Sequence, residues 1–162
     1  MTSDLKVILA IDPGTRCGYV IGGAVWRSAD TWNLKPNRHE GGGMRFLRLR
    51  RYLSEIFATT ATRPDLVVYE EVRRHLGTDA AHIYGGIVAV ISGVCEEHDC
   101  PYMGVPVGTI KRFATGKGNA SKDAMLSAVR ERWPETGVIN DHEADALALW
   151  HFAWAKSAVQ EV

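Results

Sequence analysis

The chain of 162 residues has no excess of charge of either sign, with 19 Lys and Arg against 19 Asp and Glu. Bulk charge therefore gives no sign of a nucleic-acid partner, and only a locally segregated basic surface can supply one. Cysteine is scarce. Cys17, Cys95 and Cys100 are an odd number without a C-x-x-C pair, which argues against a disulfide framework and against a zinc site. Free or buried thiols in a reducing compartment are expected instead. Long apolar runs are missing as well. The first, Val7 to Ile11 behind Asp4 and Lys6, is far too short for a signal core or a membrane span, so a soluble, intracellular protein without membrane association is expected. Internal repeats and low-complexity segments are absent.

What is present suits one ordinary core. Hydrophobic residues make up 46% and charged residues 23%, and the length fits a single domain over 1–162. Leu5 to Ile11 reads as a buried strand that ends in the turn signal Asp12-Pro13-Gly14. Cys17 to Ile21 and Ala24 to Thr31 read as two further strands joined by a Gly22-Gly23 hairpin. From Met44 the period changes. Phe46, Leu47, Leu49, Tyr52, Leu53, Ile56 and Phe57 recur at helical spacing with arginines between them. A fourth strand, Leu66 to Tyr69, ends in Glu70-Glu71. A second helix covers Asp79 to Glu97, and its small residues (Ala80, Ala81, Gly85, Gly86, Ala89, Gly93) suggest close helix packing. A fifth strand runs from Tyr102 to Val105. A short helix, Gly108 to Ala114, is followed by a loop to Ala120. Ser121 is expected to cap a helix reaching about Trp133, and Asp141 to cap a last one, His142 to Ala155. This order gives an α/β domain with a mixed sheet and helices on its faces.

Four side chains lie where element ends can present them: Asp12 after the first strand, Glu70 after the fourth, and His142 and Asp145 three apart on one face of the last helix. Carboxylates that converge repel one another, and divalent cations compensate. Hard ions such as Mg²⁺ take oxygen ligands and keep water positions open. Two ions about 3.5–4 Å apart suit phosphodiester hydrolysis, and a histidine among the ligands suits Mn²⁺ also. Each residue has a plainer reading. Asp-Pro-Gly is commonly just a turn, Glu71 reads as a solvated strand end, and a solitary histidine is commonly a core or surface residue.

The segments Ala10-Ile11-Asp12-Pro13-Gly14-Thr15-Arg16-Cys17-Gly18-Tyr19, Val68-Tyr69-Glu70-Glu71-Val72 and His142-Glu143-Ala144-Asp145-Ala146-Leu147-Ala148 together resemble three motifs of the RuvC family of Holliday junction resolvases. Val105 to Lys111 and Gly118 to Lys122 resemble that family's segment with two lysines near the scissile phosphates. The resemblance spans about residues 7 to 150. It implies an RNase H-like fold, a five-stranded mixed sheet flanked by helices with its first three strands antiparallel. It implies a metal-dependent endonuclease of DNA recombination and repair, active as a homodimer on four-way junctions. It also implies metal binding by Asp12, Glu70, His142 and Asp145, with Mg²⁺ or Mn²⁺ as the ion and two ions per site. Lys111 and Lys122 would contact phosphate, Lys122 as part of the catalytic set. The host compartment would be the cytoplasm of a bacterium or a phage-infected cell, or an organelle.

One departure stands out. The family presents an aromatic residue shortly after the catalytic glutamate, whereas Val72-Arg73-Arg74-His75 follows here. Arg73 and Arg74 can hold phosphates or stack as planar guanidiniums, or be solvated loop charges. With Lys111, Arg112, Lys117 and Lys122 they form the expected DNA-binding set, and the flexible loop Thr115 to Ala120 lets backbone N–H groups approach phosphates. That loop lacks the P-loop spacing, so no nucleotide site is expected. The leading expectation is a resolvase. The alternatives are a nuclease for single-stranded, flapped or other branched DNA with the same site, a non-catalytic DNA-binding module, and an RNA-directed enzyme, for which no 2′-hydroxyl reader is visible.

Overall fold

A computed structural model describes residues 6–159. Asp4 and Leu5, the latter assigned to the first strand from sequence, lie outside them. The sheet is built from β1 (Ile8–Asp12), β2 (Arg16–Gly22), β3 (Arg27–Asn33), β4 (Leu66–Glu71) and β5 (Tyr102–Pro106), in the order β3-β2-β1-β4-β5. The β1–β2 and β2–β3 pairs are antiparallel, and β1–β4 and β4–β5 are parallel. The helices are α1 (Gly43–Ala58), α2 (Thr78–Glu97), α3 (Val107–Thr115), α4 (Lys122–Arg132) and α5 (Asp141–Val159), with a 3-10 turn at Pro134–Thr136. This is the five-stranded mixed sheet with flanking helices expected from sequence.

The strand period of two explains why the sheet is covered on both faces. Ile8 and Ala10 of β1 join Val20, Val68 and Val105 in a core beneath α3, α4 and α5. Leu9 and Ile11 join Cys17, Ile21 and Val67 in a second core beneath α1 and α2. A central strand buried on both faces must be apolar without interruption, which is why β1 reads as a continuous run. Trp150 of α5 is 1% exposed, and its Nε1–H donates to the carbonyls of Ile8 and Gly22 at 3.1 and 3.3 Å. The last helix is thereby strapped across the first two strands.

Three details differ from the sequence reading. The β2–β3 turn is not Gly22-Gly23: Gly22 still pairs with Arg27 in the ladder, and Gly23 N–H bonds the Trp26 carbonyl at 2.9 Å. The third strand therefore begins at Arg27. Glycine is needed at position 22 because a Cβ there would run into the Trp26 carbonyl. The small residues of α2 do not all mark close packing. Gly86 lies under the Phe46 ring, but Gly85 and Gly93 look onto open space. Nor is Asp141 the cap of α5. Asn140 Oδ1 accepts the Glu143 N–H at 2.9 Å, and Glu143 Oε2 accepts the Ile139 N–H at 2.9 Å. The reciprocal arrangement is a capping box displaced by one residue at its second bond. Ser121 does cap α4, through Ala124 N–H at 3.2 Å.

Candidate active site

Parallel pairing of β1 with β4 sets Ile11 beside Tyr69, so Asp12 and Glu70 leave the same end of neighbouring strands. The N-terminal turn of α5 lies across that end. Asp12 pairs with Gly18, and Gly18 with Thr31, forming one row across three strands. The backbone of His142 rests directly on this row, since a Cβ at Gly18 would overlap the His142 carbonyl. Asn140 Nδ2 reaches Thr31 Oγ1 at 3.3 Å and fastens the helix start to the row's far end. Tyr84 of α2 fixes the end of β4, its hydroxyl donating to the Glu70 carbonyl at 2.9 Å and accepting the Val72 N–H at 3.0 Å.

Carboxylate oxygens of Asp12, Glu70 and Asp145 come within 4.8 Å of one another. His142 stands beside this trio, with Nδ1 at 3.3 Å from Asp12 Oδ2. Burial raises the proton affinity of all three acids, and their mutual repulsion adds to it. Asp12 is pushed well above the usual carboxylate range by burial and by Asp145, opposed by a side-chain hydrogen bond with Glu70 and, less, by the charge of Lys122. Glu70 is pushed up to about 8 by burial and by Asp12. Asp145 is pushed up to about 7 by burial, Glu70 and Asp141. Lys111 on α3 counters the last two shifts, which puts its charge within reach of the same centre. Three largely buried carboxylates that repel each other, with one imidazole at the edge, fit a hard divalent cation.

These shifts give a stability prediction. In the metal-free protein the folded state holds protons on Glu70 and Asp145 that the unfolded chain has released at the same pH, so unfolding loses protons and stability must fall as pH rises. His151 titrates lower, its ring pushed down to about 4 by burial and by Arg27. Its contribution rises with pH only up through the unfolded value near 6.5, so the fall expected towards pH 8.5 comes chiefly from the acidic centre, whose members titrate as a coupled set. In EDTA the melting temperature should drop from about pH 6.5 to 8.5, and saturating Mg²⁺ should remove most of the drop. A flat profile in EDTA would contradict the arrangement.

The basic residues expected at the DNA surface divide. Lys122 is exposed at the start of α4 with Nζ 3.6 Å from Asp141 Oδ2. Lys117 and Arg112 are exposed around the 115–120 loop, the Arg112 guanidinium lying against Gly118. Arg73 Nε is 3.6 Å from Glu71, so Glu71 at the end of β4 pairs with the loop that follows it, and Arg74 is exposed beside the freely exposed Leu76. His75 packs on the Tyr84 ring at 4.8 Å. The arginines of α1 are partly consumed within the chain: Arg48 pairs with Glu40, Arg50 with Glu97, and Arg45 bonds Thr15. Residues missed from sequence are Gly18, Asn140, Glu143 and Tyr84. Asn-x-x-Glu at 140–143 has capping-box spacing and is the available signal; Gly18 lies in the first quoted motif, which gives no hint of its contact with His142, and Tyr84 acts through long-range contacts with no local mark.

No protein-family model matches the chain. A curated relative from Synechococcus sp., the crossover junction endodeoxyribonuclease RuvC, is 30% identical over 152 residues, covering 91% of this chain and 97% of its own length. Another RuvC, from Brachyspira hyodysenteriae, is 25% identical over 147 residues, covering 88% and 90%. Among solved structures, Thermus thermophilus RuvC in complex with Holliday junction substrate superposes with a TM-score of 0.70 at 24% identity, covering 89% of this chain and 90% of that one. The yeast mitochondrial Holliday junction resolvase Ydc2 does so with a TM-score of 0.59 at 12% identity, covering 90% and 76%.

Proposed function

The chain belongs to the RuvC family of crossover junction endodeoxyribonucleases, and from that premise we infer how its own residues resolve a Holliday junction. It is an endodeoxyribonuclease of the crossover junction type, and the family is metal-dependent. The observation that carries the site assignment is the convergence of Asp12, Glu70 and Asp145 within 4.8 Å. These three would hold the cation, with His142 joining from the Asp12 side. Mg²⁺ is the expected ion, Mn²⁺ its substitute, and two per site the expected number. A bound divalent ion supplies Lewis acidity at the phosphate and an acidified water.

The remaining steps fall to the chain itself. Lys111 offsets negative charge beside Glu70 and Asp145, and so favours their ionised, ligating forms. Lys122, exposed at the rim, meets a phosphate of the cut strand. Arg112, Lys117, Arg73 and Arg74 hold the flanking backbone, and each contact releases counterions, so binding weakens steeply with salt. Without an aromatic after Glu70, the guanidiniums of Arg73 and Arg74 cover the exposed bases at the branch point. Assembly as a homodimer gives two such sites. The outer face of α2, with Gly85 and Gly93 uncovered, supports that helix as the interface. The three free thiols suit a cytoplasmic setting.

The deciding experiment compares a labelled four-way junction, a flap, a single strand and a linear duplex, in Mg²⁺ and in EDTA. Paired, symmetric nicks confined to the junction are expected. Cutting of flaps or single strands with the junction left intact would keep the site and overturn the substrate. Lys122→Ala should lower the rate or the affinity by about tenfold, on the order of one charge-assisted contact, while leaving the cut position unchanged. A shifted cut position on sequencing gels would count against a plain phosphate contact.

A further inference from the structure

The sequence assigns Asp141 to helix capping, but Asn140 performs that task, which frees the Asp141 carboxylate for other partners. Its two oxygens face two different functional side chains. Oδ1 stands 3.8 Å from His142 Nε2, and Oδ2 stands 3.6 Å from Lys122 Nζ. The other nitrogen of the same imidazole, Nδ1, faces Asp12 at 3.3 Å. Asp141, His142 and Asp12 therefore form a carboxylate–imidazole–carboxylate line that runs into the acidic centre, and Lys122 hangs from its outer end. The charge of Asp141 is felt at both Asp12 and Asp145.

We propose that Asp141 is the positioning residue of this active site, orienting the His142 ring toward the metal with one oxygen and holding Lys122 beside it with the other. The proposal rests on the metal-dependent reading of the site given above. A ligating imidazole presents one nitrogen to the ion and needs its other nitrogen engaged, or the ring and its tautomer are undefined. Asp141 is the carboxylate within reach of that second nitrogen. The lysine has a parallel requirement. Its side chain is 81% exposed, and an untethered lysine loses most of its rotamer freedom on meeting a phosphate. A partner that already confines the amine lowers that loss, and the metal ligand and the phosphate contact are then set by one side chain.

The test is a pair of mutant cycles on the full chain. Mn²⁺ is titrated calorimetrically into the unmutated protein, Asp141→Asn, His142→Ala and the double variant, with no DNA present. Asp141→Asn should weaken Mn²⁺ binding by about tenfold, the low end of what losing such a partner costs, and should add almost nothing once His142 is gone. Unchanged affinity in Asp141→Asn, or full additivity, would overturn the proposal, because a merely structural or diffuse electrostatic role predicts one of those two results. In the second cycle, Asp141→Asn and Lys122→Ala should be less than additive in the single-turnover rate on a four-way junction; additivity there would sever the lysine from it. Melting temperatures check that Asp141→Asn, an isosteric change at a partly exposed site, remains folded. If the unmutated protein takes up no Mn²⁺, the metal reading itself fails. If it binds Mn²⁺ but leaves junctions intact, only the substrate reading fails, and the first cycle still decides the role of Asp141.

Discussion

Glu70→Gln is expected to cut junction cleavage in Mg²⁺ by more than about 100-fold, beyond the range that loss of an outer partner to a metal ligand produces. It should also make the metal-free protein more stable at pH 8.5. Both effects follow from one geometry. Glu70 lies largely buried against Asp12, and its proton affinity is pushed up to about 8; each unit of such a shift corresponds to about 1.4 kcal/mol of penalty on the ionised form. Gln keeps the shape and removes the charge, so above pH 8 the apo fold is relieved of a penalty on the order of a few kcal/mol. Near pH 5, where Glu70 is itself protonated, the stabilisation should vanish. Junction binding should persist, because the phosphate contacts come from lysines and arginines that the substitution leaves in place. Melting curves at both pH values and a gel-shift titration read these effects. Cleavage within tenfold of the unmutated rate would remove Glu70 from the ligand set.

Gly18→Ala should reduce cleavage by on the order of 100-fold with no change in any charged group, the scale that a displacement of about 1 Å produces at a reacting centre. The added methyl would occupy the position of the His142 carbonyl. Backbone cannot turn aside as a flexible side chain does, so the start of α5 must lift from the row Asp12–Gly18–Thr31, carrying His142 and Asp145 away from Asp12. Overpacking of this kind costs about 1–3 kcal/mol, so the melting temperature should fall also, while the circular dichroism spectrum stays native. Mn²⁺ affinity should fall together with the rate. A variant with unchanged rate and unchanged Mn²⁺ affinity would mean that the helix is not seated where Gly18 places it.

The sequence was most informative where local pattern and tertiary environment agree. β1 and β4 are apolar runs because they are buried on both faces, and the acids that end them mark where the sheet stops. α1 announces itself through its period, and Ser121 through its cap. The His142-x-x-Asp145 spacing put on one helical face two side chains that the fold brings to Asp12. Less legible were features decided by contact across the chain. The start of β3 is hidden because two adjacent glycines imitate a two-residue hairpin, while Gly22 is required by the Trp26 carbonyl and remains in the ladder. The small residues of α2 look alike in sequence, although Gly86 alone of its three glycines lies against a neighbouring ring. The 3-10 turn at Pro134–Thr136 is too short to carry a period. At the start of α5, Asn140 and Asp141 are equally good caps by type, and the choice between them rests on Asn140 reaching Thr31 on a distant strand. That choice determines whether Asp141 is a helix-end acid or part of the catalytic apparatus.

The three carboxylates of the centre come from β1, β4 and α5, so Asp12 and Asp145 are separated by most of the sequence and Glu70 lies between them. A chain on which α5 has not yet docked brings together at most Asp12 and Glu70. Such long-range closure slows folding, but it also means that a partly synthesised chain lacks the full carboxylate set. The same separation couples ion occupancy to nativeness by mass action. An ion that recognises only the assembled centre, at a hundred times its dissociation constant, holds the folded population by about 2.7 kcal/mol. In a cell, the free level of divalent cation would therefore set how long the enzyme persists as well as how fast it cuts.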